Sequence, residues 1–293
     1  MAKVLGIGNA TLDIIHVVAR YPDENEEIRC LRRFARRGGN AANTLVVLSQ
    51  LGITCSFAGV LVNNADGQVI LDDLRHYGID TAPCRCLDSG SVPISSVLLS
   101  EQTGSRSIVH YRDLPEYASV DFESIALEAF DWLHFEGRNV VETCRMLDRL
   151  HAGPAAIPCS IEIEKPRAGI EALFPRADVL LFSREYGLAM GFSDPLSLLG
   201  SVRENYPHAD LFCSWGDTGA AALDSQGNVH ENSAFVPAAV VDTLGAGDTF
   251  NAAVISGYLE GLETSAILTR ACRLAGDKCG QYGFDGLGQT RTL

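Results

Sequence analysis

The residues of this chain best placed to do chemistry lie late in it, at Val240-Val241-Asp242-Thr243-Leu244-Gly245-Ala246-Gly247-Asp248-Thr249-Phe250, ahead of a helical run through Ala252, Ala253, Ile255 and Tyr258. Gly245 and Gly247 carry no side chains, so backbone N–H groups at the helix start can approach an anion closely, where the helix dipole also favours negative charge. Asp248 falls in the first helical turn. A carboxylate there would stand beside the bound anion and suits the general base for a hydroxyl. An ordinary helix start also favours Asp and glycine, so this motif by itself leaves both readings open.

A second cluster, Arg36-Arg37-Gly38-Gly39-Asn40-Ala41-Ala42-Asn43, opens a helix that ends near Leu51-Gly52. Asn40 and Asn43 are three apart, so their amides share one face of the first turn and offer donors and acceptors to neighbouring hydroxyls. That suits a polyol. N-capping by Asn40 would account for one asparagine and leave Asn43 as a polar residue in a largely apolar helix. Near the N-terminus, a strand over Val4 to Gly8 runs into Asn9-Ala10-Thr11-Leu12-Asp13, which puts Asp13 just past the carboxyl end of the first strand. Ligands of open α/β sheets bind at that end. The Asp13 carboxylate could accept from two adjacent sugar hydroxyls at about 1.5–3 kcal/mol each, or it could be a solvated turn aspartate.

These groups need a scaffold, and the hydrophobic pattern supplies one. Cys55 to Val60, Trp132 to Glu136, Cys159 to Glu164, Val179 to Ser183 and Leu211 to Ser214 read as strands. Between them lie amphipathic helices, for example Asp66 to Tyr77 closed by Gly78, Val140 to Leu150, and Leu196 to Glu204. Regular alternation of strand and helix predicts a parallel sheet covered on both faces. Two segments break the rhythm. Leu12 to Phe34 holds two strand-like runs around Tyr21-Pro22-Asp23-Glu24, and Val92 to Tyr111 reads as a hairpin through Gln102-Thr103-Gly104-Ser105. Such ribbons would form either a small separate sheet, serving as a lid over a cleft, or an edge extension of the main one.

Composition narrows the partners. With 293 residues, 46% of them hydrophobic and a formal charge of −14, the chain can bury a large core and repels phosphate backbones and anionic bilayers alike. A small-molecule partner is expected, with no nucleic acid and no membrane. Nine cysteines scattered from Cys30 to Cys279 without a Cys-x-x-Cys point to neither a zinc site nor a disulfide framework, and to a reducing, cytoplasmic setting. Gly6-Ile7-Gly8-Asn9-Ala10-Thr11 begins like a dinucleotide fingerprint but has Thr11 where its last glycine belongs, and no Gly-x-x-x-x-Gly-Lys-[Ser/Thr] occurs.

Taken together, Gly38-Gly39-Asn40-Ala41-Ala42-Asn43 and Asp242 to Phe250 resemble the paired signatures of the ribokinase-type (phosphofructokinase B-type) carbohydrate kinases. Tyr21-Pro22, Gly104-Ser105-Arg106, Phe135-Glu136-Gly137-Arg138-Asn139, Glu162-Ile163-Glu164-Lys165-Pro166-Arg167 and Gly283-Phe284-Asp285-Gly286 extend the likeness over nearly the whole chain, nearest to the members that phosphorylate ketohexoses. The resemblance implies a ribokinase-like three-layer α/β/α sandwich with a mostly parallel central sheet plus a small β-sheet lid. Residues 1–10, 39–89 and 114–293 would form the body that binds nucleotide and sugar. Residues 11–38 and 90–113 would form the lid and clasp a second copy in a homodimer.

The implied reaction transfers the γ-phosphate of Mg-ATP to a ketohexose such as fructose. Asp13, Gly39, Asn40 and Asn43 would hold the sugar, Asp248 would be the base, and Gly245, Ala246 and Gly247 the anion hole. Arg106 would be a lid cation near sugar or phosphate. Adenine would lie near Cys279, with Gly216 and Gly219 in the phosphate-side glycine loop, and K⁺ would use backbone carbonyls around Asp242 and Thr243. The sequence departs from the wider family at Ser183-Arg184-Glu185-Tyr186, where many members carry Asn-x-x-Glu. Glu162, Glu164 and Glu185 are then candidates for positioning Mg²⁺, each equally explicable as a surface carboxylate. Asn25 stands where the ketohexose-phosphorylating members place an aspartate that reaches into the partner's sugar site. Another sugar or a nucleoside as acceptor, and a non-catalytic sugar-binding relative, remain alternatives.

Overall fold

In the structure, a computed structural model describing residues 1–288, the apolar runs of the sequence come to lie side by side. The first half contains β1 (Lys3–Ile7), β2 (Thr11–Val18), β3 (Arg32–Gly38), α1 (Asn40–Gln50), β4 (Thr54–Ala58), β5 (Val60–Val62), α2 (Ala65–His76), β6 (Arg85–Leu87), β7 (Ile94–Ser100), β8 (Arg106–Tyr111) and α3 (Ser119–Phe122). The second contains β9 (Trp132–Glu136), α4 (Val140–Ala152), β10 (Cys159–Ile163), β11 (Val179–Ser183), α5 (Arg184–Ala189), α6 (Pro195–Asn205), β12 (Asp210–Ser214), β13 (Ala220–Leu223), β14 (Val229–Asn232), α7 (Ala246–Leu259) and α8 (Thr264–Cys279).

Eight strands form the main sheet in the order β14-β13-β12-β11-β10-β9-β1-β4. From β12 to β4 every pairing is parallel, and β13 and β14 add an antiparallel edge. All five residues of β9 and all five of β10 are buried, as expected for strands covered on both faces. Helices α1, α7 and α8 pack together as one covering layer, while α4, α5 and α6 belong to the other. Phe57, Phe135 and Phe212 are fully buried, and each such side chain contributes about 1.5–3 kcal/mol by leaving water.

The two irregular segments form a separate four-stranded sheet, β3-β2-β7-β8. Each ribbon is antiparallel within itself, β2 with β3 and β7 with β8, and β2 joins β7 in parallel. An edge extension of the main sheet is therefore ruled out. The link between β2 and β3 is longer than a tight turn at Tyr21 to Glu24. It spans residues 19–31 and is held by the Arg20 guanidinium, which donates to Glu26 at 2.8 Å. Strand β1 sits between β9 and β4, so the chain leaves it in both directions across the sheet, and a crevice opens at its carboxyl end.

Candidate active site

A cavity of 700 Å³ occupies that crevice, walled by the carboxyl ends of the central strands, the start of α1, the start of α7 and one face of the small sheet. Although the chain is strongly acidic, Arg36, Arg106, Arg112, Arg138, Lys165 and Arg167 all face this space. Acidic side chains, among them Asp13, Glu136, Glu162 and Asp248, line the same space, so cations able to meet an anionic ligand stand beside carboxylates able to accept from hydroxyls.

The start of α7 is built by a turn that glycine makes possible. Gly245 is the N-cap residue with φ +79°, and a Cβ there would run into the Phe284 ring. The Asp242 carboxylate shapes the approach, accepting from the Leu244 N–H at 3.0 Å and lying 3.6 Å from the Arg36 guanidinium. Gly245 and Gly247 line the cavity as expected of an anion hole. Ala246 does not, because its N–H turns back to the Thr243 carbonyl at 3.3 Å.

Asp248 is buried three residues into the helix, and its Oδ2 accepts from Asn43 Nδ2 at 2.6 Å. Thr44 Oγ1 donates to the Asp248 carbonyl at 3.3 Å, so two helix starts separated by about two hundred residues of chain are tied together. Burial pushes the Asp248 carboxyl well above the usual range, and the nearby Glu164 and Glu136 carboxylates push the same way. A carboxylate of raised proton affinity, beside amides that can hold a phosphate, can take a proton from an alcohol. Burial likewise raises Glu136 to about 7 and raises Glu162 strongly. Glu136 accepts from the Asn9 N–H. Glu162 accepts from Asn251 Nδ2 at 3.0 Å through Oε1, while its buried Oε2 has no hydrogen-bond partner within 3.5 Å among the described residues.

Asp13 is not in a turn. It lies inside β2, half-buried, with Oδ1 accepting from Thr11 Oγ1 at 2.8 Å, and it faces the cavity. Gly39 caps α1, so Asn40 is the first helical residue and not the cap. Gly39, Asn40 and Asn43 all face the cavity, but Asn43 spends both ends of its amide on protein, Nδ2 on Asp248 and Oδ1 on Arg37. Arg106, on β8, donates to Thr243 Oγ1 at 2.9 Å and so bridges the small sheet to the α7 turn.

Other expected residues sit apart. Asn25, with φ +65°, is exposed on the link between β2 and β3, away from the cavity of its own chain. Gly216 opens the short turn after β12, two residues beyond the cavity-lining Ser214, and Gly219 packs on the backbone around Asn232. Cys279 ends α8 outside the cavity, and its carbonyl accepts from the N–H groups of Val241 and Asp242 at 2.7 and 3.2 Å.

The candidate metal donors do not make a cage. Glu164 and Glu185 share the Lys165 ammonium at 3.4 and 3.8 Å, and among the described residues no group of three His, Cys, Asp or Glu could hold a metal ion. The carbonyls expected to take K⁺ are also engaged. Lys278 is fully buried and its Nζ donates to the Asp242 carbonyl at 2.9 Å, 3.2 Å from the Asp242 carboxylate, while the Thr243 carbonyl faces Ala246. A second cation beside that buried ammonium would meet strong repulsion. Both carbonyls proposed for K⁺ thus already accept from protein donors.

Glu136, Arg36, Arg37 and Lys278 are site residues to which sequence reasoning assigned no role. Arg36-Arg37 ahead of two glycines was the visible signal for two of them. Nothing local marked Lys278, whose partner lies 36 residues away.

The architecture around this site is that of the ribokinase-like kinases. The crystal structure of a putative ribokinase from Agrobacterium tumefaciens matches it with a TM-score of 0.85, covering 96% of this chain and 92% of that one at 22% identity. The structure of Arabidopsis thaliana ribokinase complexed with ribose and ATP matches with a TM-score of 0.78, covering 97% and 94%, also at 22% identity. Sequence narrows the class further. The model of the pfkB family carbohydrate kinases matches residues 1–286, and ketohexokinase of Mus musculus is 38% identical over 97% of this chain and 98% of its own length. This chain belongs to the pfkB family of carbohydrate kinases, and it is an ATP-dependent phosphotransferase acting on an alcohol group.

Proposed function

We propose that the enzyme phosphorylates a ketohexose, with fructose giving fructose 1-phosphate as the leading case. The observation that carries the reading is the buried Asp248 carboxylate, held by Asn43 at the glycine-opened start of α7 and facing a cavity lined by Asp13, Gly39 and Asn40. The 38% identity to mouse ketohexokinase supports the choice of sugar.

In this reading Asp13 accepts from sugar hydroxyls, and Asn40 and the backbone at Gly39 complete the sugar's hydrogen bonds. One hydroxyl attacks the γ-phosphorus of MgATP. The new O–P bond forms as the bond to ADP breaks, and the hydroxyl proton passes to Asp248. N–H groups at Gly245 and Gly247 meet the charge that develops on the transferring oxygens, aided by Arg106. Mg²⁺ enters in this reading as part of the substrate MgATP. Adenine lies toward Cys279, with Gly216 and Gly219 on the phosphate side.

The small sheet within 11–38 and 90–113 acts as the lid, excluding water that would hydrolyse ATP. Its strand β8 is exposed along its full length, with Val109 and Tyr111 on the face away from the cavity, and this surface supports a homodimer clasped through the lids. No helix among the described residues is long and apolar enough to cross a membrane, and the free cysteines agree with a cytoplasmic enzyme.

The decisive experiment incubates the protein with ATP, Mg²⁺ and a panel of ketohexoses, aldoses, ribose and nucleosides, reads ADP release, and locates the phosphoester carbon by NMR. Fructose should be the best acceptor, with phosphate on carbon 1, and Asp13→Ala should raise its KM steeply because a site built to bond hydroxyls loses its acceptor. Preferential turnover of ribose or a nucleoside would overturn the choice of sugar. Ligand binding without ADP formation would overturn catalysis.

The occupied carbonyl of Asp242 leads to a separate expectation. Turnover should be unchanged when KCl is replaced by NaCl or choline chloride at equal ionic strength, since Lys278 already supplies the positive charge at that turn. Activation specific to K⁺ would contradict it.

A further inference from the structure

The only side chain hydrogen-bonded to the Asp248 carboxylate among the described residues is the Asn43 amide, and a primary amide can present either of its ends. Presented carbonyl-first, it would set lone pairs against a carboxylate. Presented amine-first, it donates. What selects the second orientation lies one residue further out. Arg37 Nη1 donates to Asn43 Oδ1 at 2.5 Å, and a guanidinium has donors only, so the amide carbonyl must face Arg37 and the NH₂ must face Asp248.

Arg37 is fixed in turn. It is the penultimate residue of β3, its side chain is 2% exposed, and its Nε donates to Asp73 on α2 at 2.5 Å. Its guanidinium carbon also lies 5.9 Å from the centre of the Phe284 ring, the ring that closes over Gly245. A connected path thus runs from Asp73 through Arg37 and Asn43 to Asp248, drawn from α2, β3, α1 and α7.

We infer that Arg37 is a positioning residue for the base: it locks the Asn43 amide so that one carboxylate oxygen of Asp248 is held and the other is left to receive the substrate's proton. The inference rests on the reading of Asp248 as that base. The consequence is electrostatic as well as geometric. Glu136 from β9 and Glu162 and Glu164 from the end of β10 all face Asp248 and favour its protonated form. The Asn43 hydrogen bond and the Arg37 charge are what oppose them. Without Arg37, the base should stay protonated to higher pH.

The test is the pH dependence of kcat for Arg37→Gln, Arg37→Lys and Asp73→Asn, with sugar KM and Tm measured alongside. Arg37→Gln should move the acid limb upward by about one pH unit and lower kcat near neutrality by about tenfold, with the loss recovered at alkaline pH. Sugar KM should change little. Arg37→Lys keeps the charge but not the fork, so it should recover part of the shift. Asp73→Asn keeps the Arg37 charge and removes only its outer, one-third-exposed anionic partner, so it should move the limb slightly downward. If Arg37→Gln does not fold, an upward shift in Arg37→Lys with a downward one in Asp73→Asn carries the same reading, and no shift in either would overturn it.

An acid limb that stays in place, or a loss that falls on sugar KM, would overturn the inference. If Asp248→Asn retained near-normal turnover, it is the assignment of the base that would fail, and the two outcomes are distinct.

Discussion

Replacing Asp248 by Asn should lower kcat by at least ~10² while sugar affinity stays within a few fold, since removal of a general base costs about 10²–10⁴ in rate and the amide keeps nearly the same shape. The same substitution should make the protein more stable. The carboxyl's proton affinity is raised in the folded state by burial and by neighbouring acids. A group raised in this way contributes stability that is fully present below its unfolded pKa and is lost as pH rises through its folded value. Wild-type protein should therefore lose stability toward alkaline pH, and Asp248→Asn, which cannot ionise, should keep a higher Tm there than at pH 5 relative to wild type. Steady-state kinetics and thermal melts across pH read both effects on one variant. Near-normal turnover would refute the role of Asp248, and a Tm below wild type at pH 8 would refute the electrostatic account.

Gly39→Ala should be the most damaging small substitution in the cavity wall proposed to hold the sugar. Gly39 caps α1 with φ +101° and ψ 129°, a conformation closed to L side chains, and an added methyl would drive into the Asn9 carbonyl inside any allowed contact. Gly52 offers the control, having φ +85° with nothing within 4 Å of an added Cβ. Gly52→Ala should cost about 1 kcal/mol, or roughly 2–4 °C in Tm, from backbone strain alone. Gly39→Ala adds a backbone collision and should cost at least ~3 kcal/mol, and because α1 must shift, sugar KM should rise by ~10-fold or more. Equal melting temperatures for the two variants would show that the collision is relieved without cost.

Much of this site was legible because local chemistry marked it. The glycines at 245 and 247 announced a helix start open to an anion, and the paired asparagines announced a second one facing it. Strand and helix positions followed from apolar period, as at Trp132–Glu136, where the expected and observed bounds coincide. What could not be read were facts that exist only across the chain. Asn43 looked free to bind a sugar, yet 205 residues later it finds Asp248. Asp13 could be read as a sugar acceptor past the end of β1 or as a turn aspartate, and only the fold shows it inside β2, which begins at Thr11. Lys278 sits on a helix of ordinary amphipathic pattern, where a lysine reads as solvent-facing until the fold closes around it.

The Phe284 ring over Gly245 is itself anchored by a residue more than two hundred positions away in sequence. Gln50 at the end of α1 donates to the Phe284 carbonyl at 2.8 Å and accepts from the Gly286 N–H at 2.8 Å. A chain still emerging from the ribosome can assemble its strands in order, but it cannot close the Phe284 ring over Gly245 until residues 284–286 have been made. Activity should therefore be absent from any nascent chain in which residues 284–286 have yet to join Gln50.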